Sequence, residues 1–436
     1  MKYYSTNRNS PSVTFEEALM KGLAPDGGLY MPESIPALEQ SFLENLENLS
    51  FQEIAFEISK RFIEEEIAED DLKGIINEAI NFPAPLIRLD ENISILELFH
   101  GPTLAFKDFG ARFMAKAMGH FISRHNRTVN ILVATSGDTG SAVANGFYDT
   151  PGINVFILYP KGKVSYIQEK QLTTLDKNIT ALEIDGTFDD CQRLVKSAFV
   201  DTDLNKKMNL SSANSINFAR LLPQTFYYFE AFKQLENKSG EIYFCVPSGN
   251  LGSITAGLIA KEMGLPITKF IAATNSNTTF VDFIESGQFT PRNSIQTLSN
   301  AMDVGNPSNL ARINSLYNYE LKRIKEIIFS DSGNDTDTIN TIKYVYEKYD
   351  YLLDPHGAVG FFVLNNFLQI KGNNNSTSVL LETAHPAKFS DILERTIKVK
   401  VALPDRLSES LNKNKNSISL SSNYRDLKDF LLYDQE

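Results

Sequence analysis

The chain opens with helical periodicity. Apolar residues recur at three- and four-residue spacing in FEEALMKGL and in the acidic stretch FQEIAFEISKRFIEEEIAEDDLKGIINEAI, which predicts a helix-rich module over residues 1 to about 90. Between these helices, APDGGLYMP places Pro25, Asp26, Gly27 and Gly28 before Leu29 and Tyr30, predicting a turn with a short strand. From about residue 91 the pattern changes. The β-branched or apolar runs NISILELF, VNILVAT, INVFILYP, ITALEID, EIYFCVP, ITKFIAAT and STSVLLET alternate with helical segments, the signature of an α/β fold with a largely parallel sheet. NKSG (237–240) and KGNNNSTS (371–378) read as surface turns, and NKNKNSISLSSN (412–423) as a mobile connection near the C-terminus.

Within the helical pattern of FHGPTLAFKDFGARFMAKAM (99–118), one residue is out of place. Asp108, Arg112 and Lys116 are spaced by four and form a polar stripe, read here as the solvated face. Lys107 shares its row instead with Gly110, Ala111, Met114 and Met118, residues expected to face an interior or a cleft. A lysine at a helix end ordinarily snorkels to water or finds a partner. Desolvation weakens its preference for the ammonium form, so the pKa falls and the amine becomes a Schiff-base nucleophile. That chemistry suits an aldehyde.

Two glycine-rich turns echo one another. ATSGDTGSAVANGF (134–147) and VPSGNLGSITAGLI (246–259) share a Ser-Gly-[Asp/Asn]-x-Gly-Ser core, each after a strand and at the start of a helix, where free N–H groups make a natural anion site. They differ at Asp138 against Asn250. A carboxylate repels a phosphate dianion, whereas an amide can donate to it. The phosphate is therefore assigned to Ser248, Gly249, Asn250, Leu251 and Gly252. The first loop, through Ser136, Gly137 and Thr139, is left to hold a substrate carboxylate. A reactive amine and a phosphate cradle together suggest pyridoxal phosphate. Its ring nitrogen needs a partner, and SVLLETAHPAKF offers Glu382 and Thr383 without choosing between them.

Composition narrows the class. Among 436 residues, 42% are hydrophobic and 22% charged, and no apolar run approaches the roughly 18 to 20 residues of a membrane helix. The start MKYYSTNRNS lacks a secretory pattern, so a cytoplasmic location is expected. Forty-two basic against 54 acidic residues, a net charge of -12, disfavour a nucleic-acid surface. Cys191 and Cys245 read as buried free thiols, and five histidines without ligand spacing argue against a metal.

LFHGPTLAFKDFGARF, ATSGDTGSA, NSINFARLLPQTFYYFEA, PSGNLG, DVGNPSN, DPHGAVG and ETAHPAKF resemble, in order, the signatures of the long-form threonine synthase family. That family belongs to the tryptophan synthase β-like, fold type II group of pyridoxal phosphate enzymes, and GLAPDGGLYMPE is similar to its opening module. The resemblance implies two open, largely parallel sheet domains flanked by helices. It implies an N-terminal module at 1–90, a catalytic core at 91–400 with an inserted smaller domain at roughly 108–235, and an extension at 401–436. Lys107 would carry the cofactor as a Schiff base and serve as mobile acid and base. Gly249, Asn250, Leu251 and Gly252 would hold the cofactor phosphate, and Thr383 the ring nitrogen. Ser215 and Arg220 would grip a substrate phosphate; read without the resemblance, Ser215 is a helix cap and Arg220 a surface charge. Asp138 departs from the wider group, where an asparagine commonly meets the cofactor's phenolic oxygen. Either a proton is shared or the carboxylate points away. His100, His356 and His385 read as hydrogen-bonded structural residues, and Asp303, Asn306 and Asn309 as turn and capping residues.

The implied reaction converts O-phospho-L-homoserine and water to L-threonine and phosphate, a γ-elimination followed by addition of water, by a monomer or a homodimer. A dehydratase or β-replacement enzyme on the same scaffold, or a catalytically silent homologue that binds phosphorylated ligands, are the alternatives.

Overall fold

The computed structural model describes residues 1–125, 128–135, 137–372 and 376–433. Ser136 and the centre of KGNNNSTS, residues 373–375, lie outside the described residues.

Each predicted apolar run forms a strand, and the strands assemble into two sheets. The larger has six strands, in the spatial order Ile328–Ser332, Lys269–Thr274, Glu241–Pro247, Ser376–Glu382, Ile93–Glu97 and Leu86–Arg88. All neighbours are parallel except the last pair. The smaller has five parallel strands, Ile418–Ser421, Ile179–Asp185, Ile153–Pro160, Val129–Ala134 and Leu210–Ser211. Strands such as Glu241–Pro247 and Ser376–Glu382 are buried on both faces, as parallel strands covered by helices must be.

The opening module is helical as its periodicity predicts. In Phe51–Ile63, Ser50 and Glu53 form a reciprocal capping box, and Ile54, Ala55, Ile58 and Phe62 make one buried stripe. A ribbon pairs Tyr3–Ser5 with Tyr30–Pro32, which is the short strand expected after the Gly27-Gly28 turn. The module is tied to the rest through Arg312. This buried guanidinium donates to the carbonyls of Tyr30, Ser215 and Ile216 and to Asn309 Oδ1, at 2.6–3.2 Å. Burial lowers its pKa to about 9, and neutral carbonyls rather than a carboxylate satisfy it.

Two expectations are corrected here. The Asp108–Arg112–Lys116 stripe is not a solvated face: Arg112 and Lys116 meet the opening module, and Asp108 is bonded to Thr103. Asp108 is fully buried, Arg112 caps the carbonyls of Ala79 (3.0 Å) and Glu78 (2.5 Å), and Lys116 pairs with Glu78. The four-residue spacing fixes which residues share a face, but the covering helix Glu69–Ala79 decides what Arg112 and Lys116 meet. The polar segment 412–423 is likewise not a mere connection. Ile418–Ser421 lengthens the smaller sheet beside Leu182–Asp185, and Lys415 (2.5 Å) and Ser419 (3.1 Å) both bond Glu183.

Candidate active site

The residues singled out in the sequence come from the C-terminal ends of the parallel strands, where open α/β sheets place their ligand crevices. The strand Ser376–Glu382 delivers Thr383, whose carbonyl accepts the Phe106 N–H at 2.9 Å. An isolated bridge between Ala105 and Ala384 completes the clasp. Thr383 is thereby held beside the start of Lys107–His125, a helix whose first residue is Lys107.

The row of Lys107 is as expected: Gly110, Ala111, Met114 and Met118 are all buried. The Lys107 side chain is half-buried by surface but lies deep in the molecule. Desolvation lowers its pKa to about 8, with Asp138 and Asp354 opposing and Lys388 and Arg220 assisting. Among the described residues its amine has no hydrogen-bond partner.

The second glycine-rich turn has the geometry of an anion cradle. Leu251, buried and left-handed at φ 58°, turns the chain into Gly252–Glu262, and no side chain caps that helix. Among the described residues, the N–H groups of Gly249, Asn250, Leu251 and Gly252 have no partner. A Cβ on Gly249 would lie 2.8 Å from Met302 Cα and 3.0 Å from the Ala301 carbonyl oxygen, so only glycine admits the loop over this turn. Asn250 is fixed on three sides: it donates to Ser215 Oγ (2.6 Å), accepts the Ser308 N–H (2.5 Å), and its carbonyl takes Asn309 Nδ2 (2.9 Å). Ser248 plays a different part from the one assigned by sequence. Its N–H and hydroxyl bond the carbonyls of Ala273 (2.7 Å) and Val246 (2.8 Å), anchoring the turn to the sheet.

In the first turn, Gly137 adopts φ 144° and its N–H is bound by Thr135 Oγ1 at 3.0 Å, so that donor is not available to a substrate carboxylate. Thr139 remains half-buried in the first turn of the helix. Asp138 is buried. Its Oδ1 pairs with Lys388 Nζ at 2.6 Å and accepts Gln168 Nε2 at 3.0 Å. Burial alone would raise its carboxyl, but Lys388 and Lys107 hold it well below the usual carboxylate range.

Arg220 is buried in the short helix Phe218–Leu221, which is capped by Asn217 and not by Ser215. Gly110 makes room for it, since a Cβ there would meet the Arg220 carbonyl at 2.7 Å and Nε at 3.0 Å. Its Nη1 donates to the Ala213 carbonyl, while Nε is buried without a partner. Burial lowers its pKa to about 10, opposed by Asp108, so it stays charged at neutral pH. A buried cation with an unpaired donor is the arrangement an arriving anion completes. Ser215 sits at the Asn250 turn, bonded to the Asn250 side chain and packed near Gly252.

Behind Thr383 lies a buried acid network. Glu382 Oε1 accepts the Asp354 N–H at 2.6 Å, and Asp354 Oδ1 meets His356 Nδ1 at 2.5 Å. His356 Nε2 in turn accepts the Ala301 N–H at 3.2 Å, so Nδ1 carries the ring proton. The network thus links the strand end at Thr383 to the loop that covers Gly249. His100 pairs with Glu97 at 2.7 Å, and His385 accepts the Ala387 N–H at 3.1 Å, its pKa pushed down to about 4 by burial. All three histidines are hydrogen-bonded.

Burial, then the neighbouring Asp354, pushes Glu382 far above the usual carboxyl range, so it is held as the neutral acid. The unfolded chain loses that proton near pH 4.3, so this site destabilises the fold increasingly as pH rises above that value. Glu382→Gln keeps the shape and removes the ionisation. It should raise Tm relative to the parent more at pH 8 than at pH 5. A variant destabilised equally at both values would contradict the protonated acid.

Sequence reasoning missed Lys388, Gln168 and Arg312. Lys388 gave a signal in ETAHPAKF, a lysine in an apolar turn after a buried strand, comparable to Lys107 in its apolar row.

The model of the threonine synthase N terminus matches residues 2–80, that of pyridoxal-phosphate dependent enzymes residues 80–383, and that of the threonine synthase C-terminal region residues 357–431. Threonine synthase of Haemophilus influenzae is 44% identical over 436 residues, covering 99% of this chain and 100% of the relative. The crystal structure of threonine synthase from Escherichia coli superposes with a TM-score of 0.93 at 40% identity, over 100% of both chains. A pyridoxal-phosphate-bound threonine synthase from Brucella melitensis gives 0.93 at 36% identity, over 99% of this chain and 98% of that one. With three matched segments in family order and full-length similarity to these proteins, the chain belongs to the threonine synthase family of pyridoxal-phosphate dependent enzymes.

Proposed function

We propose that the protein converts O-phospho-L-homoserine and water to L-threonine and inorganic phosphate. The observation that carries this reading is the presence of two separate anion sites around one buried amine: the unpartnered N–H groups at Gly249–Gly252, and the buried guanidinium of Arg220. One suits the cofactor's phosphate and the other the substrate's. The dehydratase and β-replacement alternatives act on substrates without a second phosphate, and would leave Arg220 buried and unmatched.

The residues present fit pyridoxal phosphate. Lys107 offers an amine of lowered pKa, the Gly249–Gly252 turn offers N–H donors, and the Thr383 hydroxyl has no partner among the described residues. Bound pyridoxal phosphate supplies an electron sink joined to the substrate's amino nitrogen, and the proton movements fall to the chain. Lys107 removes the Cα proton and then the Cβ proton, which requires its free amine at working pH. Arg220 holds the phosphate whose bond to Cγ breaks, stabilising the charge that develops on the leaving oxygen. Phosphate leaves, a proton is returned to Cγ, water adds at Cβ, and a proton is returned to Cα to complete threonine. The Thr383 hydroxyl would donate to an unprotonated ring nitrogen, leaving Glu382 behind it as the uncharged acid.

Thr139 and the first turn lie on the substrate side of Lys107 in this reading. A cytoplasmic location, no nucleic-acid partner and a monomer or homodimer accompany it; no helix among the described residues is long and apolar enough to cross a membrane. Phosphate release from O-phospho-L-homoserine by the purified protein, with the amino-acid product identified, tests the reading. Threonine supports it. Release of an oxoacid and ammonia from serine or threonine, with no turnover of the phosphorylated substrate, would favour the dehydratase alternative.

A further inference from the structure

Asp138 presents a physical problem that its partner resolves. A buried carboxylate within electrostatic reach of Lys107 would by itself favour the ammonium form of that lysine. Lys388, about 1% exposed, is set against Asp138 at 2.6 Å and donates to the Thr103 carbonyl at 2.9 Å. The surrounding frame is rigid. Gln168 Nε2 donates to Asp138 at 3.0 Å, Gln171 Nε2 donates to the Thr103 carbonyl at 3.2 Å, and Thr103 bonds Asp108 through its N–H (2.8 Å) and hydroxyl (2.6 Å). The two charges come from distant parts of the sequence.

We propose that Asp138 and Lys388 act as one neutral unit which keeps the Lys107 amine free to capture the cofactor, Lys388 being a positioning residue for that step. The inference rests on the reading of Lys107 as the cofactor amine. The two members act on Lys107 with opposite sign, Asp138 favouring the ammonium and Lys388 the amine. Arg220 favours the amine as well and Asp354 the ammonium. Around the pair itself stand Asp108, in electrostatic reach of Lys388, and His385, which burial keeps neutral near pH 7. The arrangement accounts for a carboxylate at a position where a neutral amide serves related enzymes: paired with a lysine, the carboxylate adds no net charge to the cleft.

The test is competitive acetylation of the full-length chain from pH 6 to 11, read on the Lys107 peptide by mass spectrometry, with and without pyridoxal phosphate. The parent's labelling midpoint is expected near 8. Lys388→Met frees Asp138 to pair with Lys107 and should raise the midpoint by about one pH unit, roughly tenfold less free amine at fixed pH. Asp138→Asn should lower it by a comparable amount, and the double variant should return close to the parent. Opposite shifts that cancel are not produced by loss of packing alone. Single-variant shifts of the same sign, an unmoved Asp138→Asn, or a double variant that keeps the displacement would overturn the proposal. Should Lys388→Met fail to fold, Asp138→Asn and the double variant still decide it. Protection of Lys107 by pyridoxal phosphate in the parent is a separate outcome: its absence refutes the cofactor role of Lys107 and leaves the charge pair to be judged on the midpoints.

Discussion

Replacing Lys107 with alanine is expected to reduce turnover of O-phospho-L-homoserine by on the order of 10,000-fold, the upper range for a single acid–base group. The absorbance of the bound cofactor's imine should disappear with it. The reason lies in the position more than in the residue type. Lys107 begins a helix whose same-row neighbours are buried, and Thr383 is clasped to the residue before it. Its amine is brought to a pKa of about 8, so a substantial fraction is unprotonated at mildly alkaline pH, where an exposed lysine would be almost wholly charged. No neighbour can deputise: Lys388 is engaged by Asp138 and the Thr103 carbonyl, and Arg220 stays protonated. Spectra and initial rates on the same preparation check both halves. A variant that retained the imine band would show that another amine carries the cofactor.

Arg220→Met should lower kcat/KM by about 100- to 1,000-fold while leaving the cofactor spectrum in place. The substitution removes a buried cation and its unpaired Nε donor, and with it the counter-charge for the phosphate that leaves Cγ. KM should rise because the bound substrate loses its anchor. The chemical step should slow as well, because negative charge grows on the leaving oxygen. Arg220→Lys should recover only part of the loss, since an ammonium cannot reproduce the planar donor fork, and its reach over Gly110 differs. Thermal unfolding of both variants separates a folding defect, through the lost bond to the Ala213 carbonyl, from the loss of binding. Unchanged kcat/KM in a folded Arg220→Met protein would move the substrate phosphate elsewhere.

The strands and glycine-rich turns were legible because their signals are local. VNILVAT and EIYFCVP are continuous apolar runs, and each leads through glycine into a helix as its residues require. Lys107 was legible for a related reason: period 3.6 places it on an apolar row whatever the tertiary structure. The stripe Asp108–Arg112–Lys116 shows where that logic ends. Spacing assigns the three to one face, but the Glu69–Ala79 helix that Arg112 and Lys116 meet comes from another part of the chain, and Asp108 bonds Thr103 in the preceding loop. Segment 412–423 failed similarly. Ile418–Ser421 alternates apolar and polar residues over only four positions within a polar segment and is largely exposed, so its strand is fixed by the edge it pairs with. Asp138 was the most informative case. Nothing in its own glycine-rich turn points to its partner, a lysine held in a different motif.

Hydrolysis of the substrate's phosphate by P–O cleavage would also release phosphate, so the central claim is tested most directly by turnover in water enriched in oxygen-18. Breaking the Cγ–O bond leaves the bridging oxygen with the phosphate, and the oxygen of the added water enters at Cβ. The account predicts L-threonine labelled in its hydroxyl group and phosphate free of the label. Labelled phosphate accompanied by homoserine would contradict it.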